Sequence, residues 1–410
     1  MPEVSHCAIL IVGGGITGLT LAREFVRRNV GPILVLEKEA EIGAHASGRN
    51  SGVLHAGIYY TPDTLKARFC IDGNHLMKAF CRDKGLTLHE TGKVIVTRKP
   101  EEESALHELK RRAEASGAAA EIIDDTRLKR IEPYARTSRW ALYSPETAVI
   151  QPREVLQALA EELEASGKVH LRRGSAFLGI EEERAARTSR GQVGFDFLVN
   201  AAGAYADRLA HAFGLGREYA ILPFKGTYKS LRADRSFLVQ GNIYPVPDLR
   251  NPFLGVHFTR SAEGTVYVGP TAIPAFGREN YRRLEGVGAE TARILFRQAS
   301  LFVGNAGFRS AALTEPKRYL TRFVYSEARQ LIPSLRVGDL QNAPKVGIRA
   351  QLVHAPSRTL VMDFVILRGA DSLHILNTVS PAFTSSMAFA RHIASLTLGS
   401  QGVDSNAVPV

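Results

Sequence analysis

The sequence predicts an α/β fold in two parts: a parallel sheet flanked by helices, and an α+β part built on a mostly antiparallel sheet. Three observations predict it. The chain opens with a strand, a glycine-rich turn, a helix and a second strand in immediate succession, the βαβ beginning that a parallel sheet requires. From about 216 to 335 the pattern changes to apolar runs punctuated by Gly and Pro, which is antiparallel character. The 410 residues also exceed the size at which one hydrophobic core keeps growing, so two domains sharing a cleft are expected.

The elements follow in order. HCAILIV reads as the first strand, TGLTLAREFVRRN as a helix closed by Gly31 and Pro32, and ILVLE as the next strand. Thr61 and Pro62 read as the cap and first residue of a helix, DTLKARFCIDGNHLMKAFCRDKG, that Gly85 ends. EEESALHELKRRAEASG reads as an amphipathic surface helix whose acidic-then-basic order suits the helix dipole. Pro152 opens another helix, REVLQALAEELEAS, stopped by Gly167. LPFKGTYKSL, SFLVQ, PFLGVHFT and TVYVGP read as strands of the second part, and TLVMDFVIL and LHILN as strands of the first, before a final helix. The expected division is 1–88, 146–215 and 336–400 for the first domain, 89–145 and 216–335 for the second, and a disordered tail at 401–410. A chain that leaves a domain and returns to it builds an interdomain cleft, a common place for a small ligand.

Composition narrows the function classes. The 52 basic against 41 acidic residues give +11, which favours anionic partners: small carboxylates, phosphates or an anionic membrane surface. No run of five like charges and no basic stretch interleaved with aromatics is present, so a nucleic-acid partner is not expected. Cys7, Cys70 and Cys81 lack metal-ligand spacing, and Cys70 and Cys81 on one helix stand roughly 16 Å apart, beyond disulfide reach. No metal is expected. The thiols suit a reducing cytoplasm, and the apolar run Ala8–Val12 is too short for a leader. Peripheral attachment to the inner face of the cell membrane fits the charge equally well.

Gly13, Gly15 and Gly18 occupy the G-x-G-x-x-G positions of V-G-G-G-I-T-G, between the first strand and the first helix. The first glycine permits the tight turn, the second lets backbone approach a pyrophosphate, and the third lets helix and strand pack closely. Glu37 ends the next strand, nineteen residues after Gly18, where a carboxylate can accept from ribose hydroxyls. The triplet alone does not distinguish FAD from NAD. Two further glycine-rich turns, SGRNSGVLHAG and VNAAGAYAD, suggest a large buried cofactor. The closing segment reads as a helix with Ser380 as cap and Pro381 as first residue, offering the N–H groups of Ala382, Phe383 and Thr384.

The triplet, ASGRNSG, NAAGAYAD, GIRAQ at 347–351 and SPAFTSSMAFARHIA, in this order, resemble the FAD-dependent oxidoreductases of the D-amino-acid oxidase type. GRNSGVLHAGIYYTP, LKARFCIDGN, YPVPDLRNPFLGVHFTR, VGPTAIPAFGRENY and LNTVSPAFTSS narrow the likeness to the L-2-hydroxyglutarate dehydrogenase/oxidase family, from residue 5 to about 398. The resemblance implies a Rossmann-like FAD-binding domain beside a substrate domain. It implies non-covalent FAD, touched by Gly13, Gly14, Gly15, Ile16, Thr17, Gly18, Glu37, Lys38, Ser47, Arg49, Asn50, Ser51, Gly52, Phe177, Ala201, Ala202, Gly203, Gly347, Arg349, Pro381, Ala382, Phe383 and Thr384. Two departures stand out. IEEERAARTSRGQVGFDF is short and irregular, which puts adenine-side contacts in question, and Lys225 stands in PFKGTY where the family carries Arg.

The implied activity is oxidation of L-2-hydroxyglutarate to 2-oxoglutarate, with hydride passing from C2 to flavin N5 and the hydroxyl proton to a base. The alternatives are another superfamily oxidase, acting on an amino acid, sarcosine, glycine or glycerol 3-phosphate, and a non-catalytic FAD-binding protein. Histidine is the simplest base near neutral pH. His257 is either that base or a strand histidine bonded in its sheet, and His55 either touches flavin or substrate or holds its loop. A dicarboxylate needs counter-charge at both ends: Arg349 for one, Arg260 or Lys225 for the other, with Tyr59 and Tyr60 closing the pocket. Quinone, oxygen or a carrier protein completes the electron path.

Overall fold

The apolar run His6–Val12 is a central strand of an eight-stranded sheet in the computed structural model, which describes residues 5–247, 255–283 and 285–399. It pairs in parallel with Gly191–Asn200 on one side and Ile33–Leu36 on the other. Val169–Arg172 and Ser372–Ile375 extend the parallel array beyond these two. Ile33–Leu36 is buried at every residue, and Leu10, Ile11 and Val12 likewise. Strands covered on both faces carry unbroken apolar runs of this kind. The irregular segment after residue 176 forms an antiparallel meander, Phe177–Glu182, Ala185–Thr188 and Gly191–Asn200, with register shifts in its first pair.

The helices Ile16–Arg27, Leu65–Asp83, Pro152–Ala165 and Ala382–Leu398 cover this sheet. Leu19, Phe25, Met77, Leu159 and Phe389 lie in their shared core, each buried side chain contributing about 1.5–3 kcal/mol. Cys70 and Cys81 share one helix, and Gly85 follows it at φ +63°. The cap of that helix is Thr64, whose Oγ1 accepts from the Ala67 N–H at 3.2 Å, three residues later than Thr61. The displacement has a non-local cause: the Asp363 carboxylate accepts the N–H groups of Leu65 (2.9 Å) and Lys66 (3.2 Å). The final helix also starts one residue late, with Pro381 at the cap position and Ala382 first.

The second sheet has ten strands, with Tyr219–Leu231 and Leu340–His354 as its long antiparallel spine. Val266–Gly269, His257–Arg260 and Asn242–Pro245 follow, and Asn242–Pro245 pairs in parallel with Lys93–Val96. Leu340–His354 therefore belongs to the second sheet, although the sequence places residues from 336 onward in the first domain. The chain re-enters the first sheet at Ile366–Arg368. SFLVQ is not a strand: it falls mostly in the 3-10 helix Ala233–Leu238, where Leu238 turns inward and Phe237 stays exposed, so no alternating face exists. The beginning of PFLGVHFT and the tail 401–410 lie outside the described residues. Among the described residues no helix is long and apolar enough to cross a membrane.

Candidate active site

A cavity of about 860 Å³ runs between the two sheets. From the first it is lined by Gly13, Gly15, Ile16, Thr17, Glu37, Lys38, Phe177, Ala201, Ala202 and Gly203, and from the following loop by Ser47, Arg49, Asn50, Ser51 and His55. Phe224, Tyr228, Tyr244, His257, Gly347 and Arg349 line it from the second sheet, and Pro381, Ala382, Phe383 and Thr384 from the start of the last helix.

The glycine turn works as backbone geometry. Gly13 sits at φ +117°, and a Cβ on Gly18 would lie 1.9 Å from the Gly13 carbonyl oxygen. Gly18 therefore packs helix on turn and does not line the cavity. Gly14 and Gly52 are likewise behind the wall: the Gly14 N–H donates to Glu37 Oε2 at 3.1 Å, and Gly52, at positive φ, abuts the Ile150 carbonyl. Gly15, Ile16 and Thr17 line the cavity, so the positive end of the helix Ile16–Arg27 faces it, and Gly15 supplies no side-chain cap. The Ile16 N–H donates to Ser47 Oγ at 3.0 Å, which ties the second loop to the first. Glu37, fixed also by the Glu39 N–H at 2.9 Å, presents a carboxylate at the strand end. The N-terminal end of a helix beside such a carboxylate fits a pyrophosphate and a ribose.

Beside Glu37 lies a polar cluster that crosses between the lobes. Lys38 pairs with Glu39 and with Glu279 at 2.7 Å, and His45 Nδ1 meets the Tyr281 hydroxyl at 2.9 Å. The Arg49 guanidinium stands 4.2 Å from the Tyr281 ring centroid. The ligand atoms of Glu39, His45 and Glu279 come within 4.8 Å of one another, and the Lys38 ammonium bonds to all three side chains. Behind it Arg278, 3% exposed, pairs with Asp207 at 2.5 Å and Glu290 at 2.8 Å.

At the second sheet the chemistry changes. His257 is 6% exposed, stacked on Tyr244 with centroids 3.9 Å apart, and its Nδ1 lies 2.9 Å from the Gly255 carbonyl oxygen. A carbonyl only accepts, so Nδ1 carries the proton and Nε2 keeps a lone pair. Burial, with the charges of Lys93 and Arg318 adding, pushes its pKa down to about 4 against the hydrogen bond to Gly255. His55 is held through its backbone: its N–H donates to Thr384 Oγ1 at 3.1 Å, and its carbonyl accepts from Asn74 Nδ2 at 3.0 Å. Its Nδ1 is sealed without a partner, and burial, then Lys93 and His257, lower it to about 3. Arg349 lies in the cavity wall, where burial lowers its pKa to about 10, leaving it cationic at neutral pH. Its Nε donates to Gln351 Oε1 at 3.3 Å.

Several expected residues stand elsewhere. Arg260 points away from the cavity, donating to the carbonyls of Ser236 (3.0 Å) and Val239 (2.8 Å), because alternate residues of a strand face opposite sides and it lies three beyond His257. Lys225 donates to the Arg282 carbonyl at 3.2 Å and does not line the cavity. Tyr59 and Tyr60 sit behind the lining, Tyr60 near Arg349 and Tyr59 under Lys93. Sequence reading missed Lys93, Tyr244, Tyr228, His45, Glu279 and Tyr281. Tyr244 and the Glu279–Tyr281 pair fall inside segments quoted above, whereas a lysine in KVIV carries no signal that sets it apart from a solvated edge.

The model of the FAD dependent oxidoreductase family matches residues 8–396. L-2-hydroxyglutarate dehydrogenase, mitochondrial, of Homo sapiens is 34% identical over 413 residues, spanning 96% of this chain and 89% of that protein. L-2-hydroxyglutarate dehydrogenase of Escherichia coli strain K12 is 35% identical over 401 residues, spanning 94% and 92%. Among solved structures, L-alpha-glycerophosphate oxidase from Mycoplasma pneumoniae with FAD bound superposes with a TM-score of 0.74 at 20% identity, over 96% of this chain and 94% of that one. Glycine oxidase from Geobacillus kaustophilus gives 0.72 at 18% identity, over 97% and 96%. With a glycine turn, a helix N-terminus and Glu37 disposed as a dinucleotide needs them, and with family-wide similarity along nearly its whole length, the chain belongs to the FAD-dependent oxidoreductases, and FAD is its cofactor.

Proposed function

We propose that the chain oxidises L-2-hydroxyglutarate to 2-oxoglutarate, with the parallel-sheet lobe holding FAD and the ten-stranded sheet forming the substrate side. The observation that carries the reading is one cavity that joins the glycine turn to a wall of two neutral histidines and Arg349. The names of relatives at 34–35% identity supply the substrate. FAD, when bound, supplies the two-electron acceptor for the hydrogen on C2. Gly13, Gly15, Ile16 and Thr17 would hold its pyrophosphate, Glu37 its ribose, and Ala382–Thr384 would direct a positive helix end toward it. None of Cys7, Cys70 and Cys81 lines the cavity, which supports non-covalent binding.

Each protein group then has a task. Arg349 binds one substrate carboxylate, a pairing that a guanidinium makes bidentately. His257 Nε2 takes the hydroxyl proton as the carbonyl forms. His55, fixed to Thr384 through its N–H, sets the distance between that wall and the last helix. Peripheral membrane attachment is supported by the surface of Thr291–Gly304 and Ala306–Thr314, where Phe296, Val303 and Leu313 are 76%, 71% and 61% exposed. Residues 291–322 carry six basic and one acidic residue, a composition that suits anionic lipid. Salt-releasable binding to anionic vesicles, absent with neutral ones, tests it.

The experiment for the reaction is anaerobic titration of the yellow holoenzyme with L-2-hydroxyglutarate, its D-enantiomer, glycine and sarcosine. Bleaching of the flavin by the L-2-hydroxy acid, with 2-oxoglutarate formed, is expected. Bleaching by an amine or amino acid and not by the hydroxy acid would overturn the substrate assignment while leaving the FAD fold intact.

A further inference from the structure

Lys93 is an anomalous charge among the described residues. It opens the strand Lys93–Val96, is 1% exposed, and its Nζ has no hydrogen-bond partner. The ammonium lies 4.4 Å from the Tyr59 ring centroid and 5.2 Å from that of Tyr244. Tyr244 stacks on His257, and both line the cavity, so Lys93 stands one side-chain layer behind the substrate wall. The groups that face it are Tyr59, His55, Cys70, Tyr244 and His257. Among the described residues none pairs with it as an ion. Two more sealed polar atoms without partners, the Tyr59 hydroxyl and His55 Nδ1, occupy the same neighbourhood.

A cation taken out of water needs an opposite charge, and ring faces supply a fraction of it. Every neighbour here is neutral or weakly acidic, so the protein itself leaves the charge uncompensated. The buried Arg278 shows the contrast, since two carboxylates surround it. Arg349, on the spine strand Leu340–His354, accounts for one end of a dicarboxylate, and neither Arg260 nor Lys225 reaches the cavity for the other.

We propose that Lys93 is the specificity-determining counter-charge for the second carboxylate of the substrate, acting through the Tyr244–His257 wall. The proposal rests on the dicarboxylate reading given above. Burial lowers the lysine to about 7, with Cys70 opposing, so the counter-charge fades as pH rises through neutrality. A dianion binding beside it raises that value again, and by linkage binds more tightly where the lysine is already protonated.

The test uses oxidised holoenzyme and two non-oxidisable five-carbon probes, glutarate and the monocarboxylate pentanoate, with Kd read from the perturbed flavin spectrum at pH 6 and pH 8. Wild type is expected to bind glutarate several-fold more tightly at pH 6, and pentanoate with little change. Lys93→Met should weaken glutarate tenfold or more at pH 6, flatten its pH dependence and leave pentanoate unaltered. Lys93→Arg, which keeps its charge, should bind glutarate without the pH dependence and decides the matter if the methionine variant loses flavin. Glutarate binding by Lys93→Met that matches wild type at both pH values, or equal weakening of both probes, would overturn the role of Lys93. Failure of wild type to bind glutarate at either pH would instead overturn the dicarboxylate reading.

Discussion

His257→Asn tests the proposed base in one substitution. The asparagine amide can still donate to the Gly255 carbonyl, which His257 Nδ1 meets at 2.9 Å, while the lone pair at Nε2 disappears. The stack against Tyr244 shrinks, yet the site stays closed because Tyr244 is itself 2% exposed. Loss of a general base costs about 10²–10⁴ in rate, equivalent to about 3–5 kcal/mol in the barrier. The same geometry fixes the pH profile. With its pKa pushed down to about 4, roughly one His257 in a thousand is protonated at pH 7, so the acid limb of kcat/KM falls near pH 4. An ordinary histidine near 6.5 would already have lost about three quarters of its base form at pH 6. The assay is steady-state oxidation of L-2-hydroxyglutarate with an artificial acceptor, from pH 4 to pH 8, in wild type and variant. Retention of more than a tenth of kcat/KM in the variant, or a wild-type acid limb centred near 6.5, would refute the assignment.

Further outcomes follow from other parts of the site. Gly18→Ala forces a Cβ more than an ångström inside the closest approach that side chains tolerate to the Gly13 carbonyl; the purified protein should carry substoichiometric FAD with unchanged helical content by circular dichroism. Arg349→Lys keeps the charge and loses the fork, so KM for the hydroxy acid should rise about tenfold or more while FAD content holds, and an unchanged KM would remove Arg349 from substrate binding. His55, His257 and His374 all have pKa values lowered by burial, to about 3, 4 and 4. The unfolded chain binds more protons below about 6.5, so their contribution to stability is complete above that pH and is lost as pH falls toward 4. Each contributes up to about 1.4 kcal/mol per pH unit in that window, and urea unfolding at pH 7 and pH 5 should differ accordingly.

What the sequence made legible was what local rules govern. The βαβ opening, the glycine turn and Glu37 are contiguous, so spacing alone located the dinucleotide end. The bounds that moved did so under distant partners: Asp363, nearly three hundred residues away, sets the start of the helix Leu65–Asp83. Arg260 failed for a different reason, since its position three residues beyond His257 puts it on the opposite face of the same strand. Lys93 was illegible because its anomaly is tertiary. A lysine in KVIV reads as a solvated strand end until Tyr59 and Tyr244 are known to close over it.

The cavity is governed by two electrostatic regimes, and this separates cofactor from substrate. Around Glu37 the charges are matched and partly exposed: Lys38 against Glu39 and Glu279 joins residues of both lobes at 30–35% side-chain exposure. Pairs of that kind are individually weak and weaken further with salt, so they can organise an opening without sealing it. Around His257 the buried Lys93 has no hydrogen-bond partner at its Nζ, Arg349 adds a cation in the cavity wall, and both histidines are neutral. A site whose wall carries cations, one of them buried without a hydrogen-bond partner, is poorly suited to cationic amines and well suited to a dianion. That imbalance, more than the shape of the cavity, favours a hydroxy dicarboxylate over an amine.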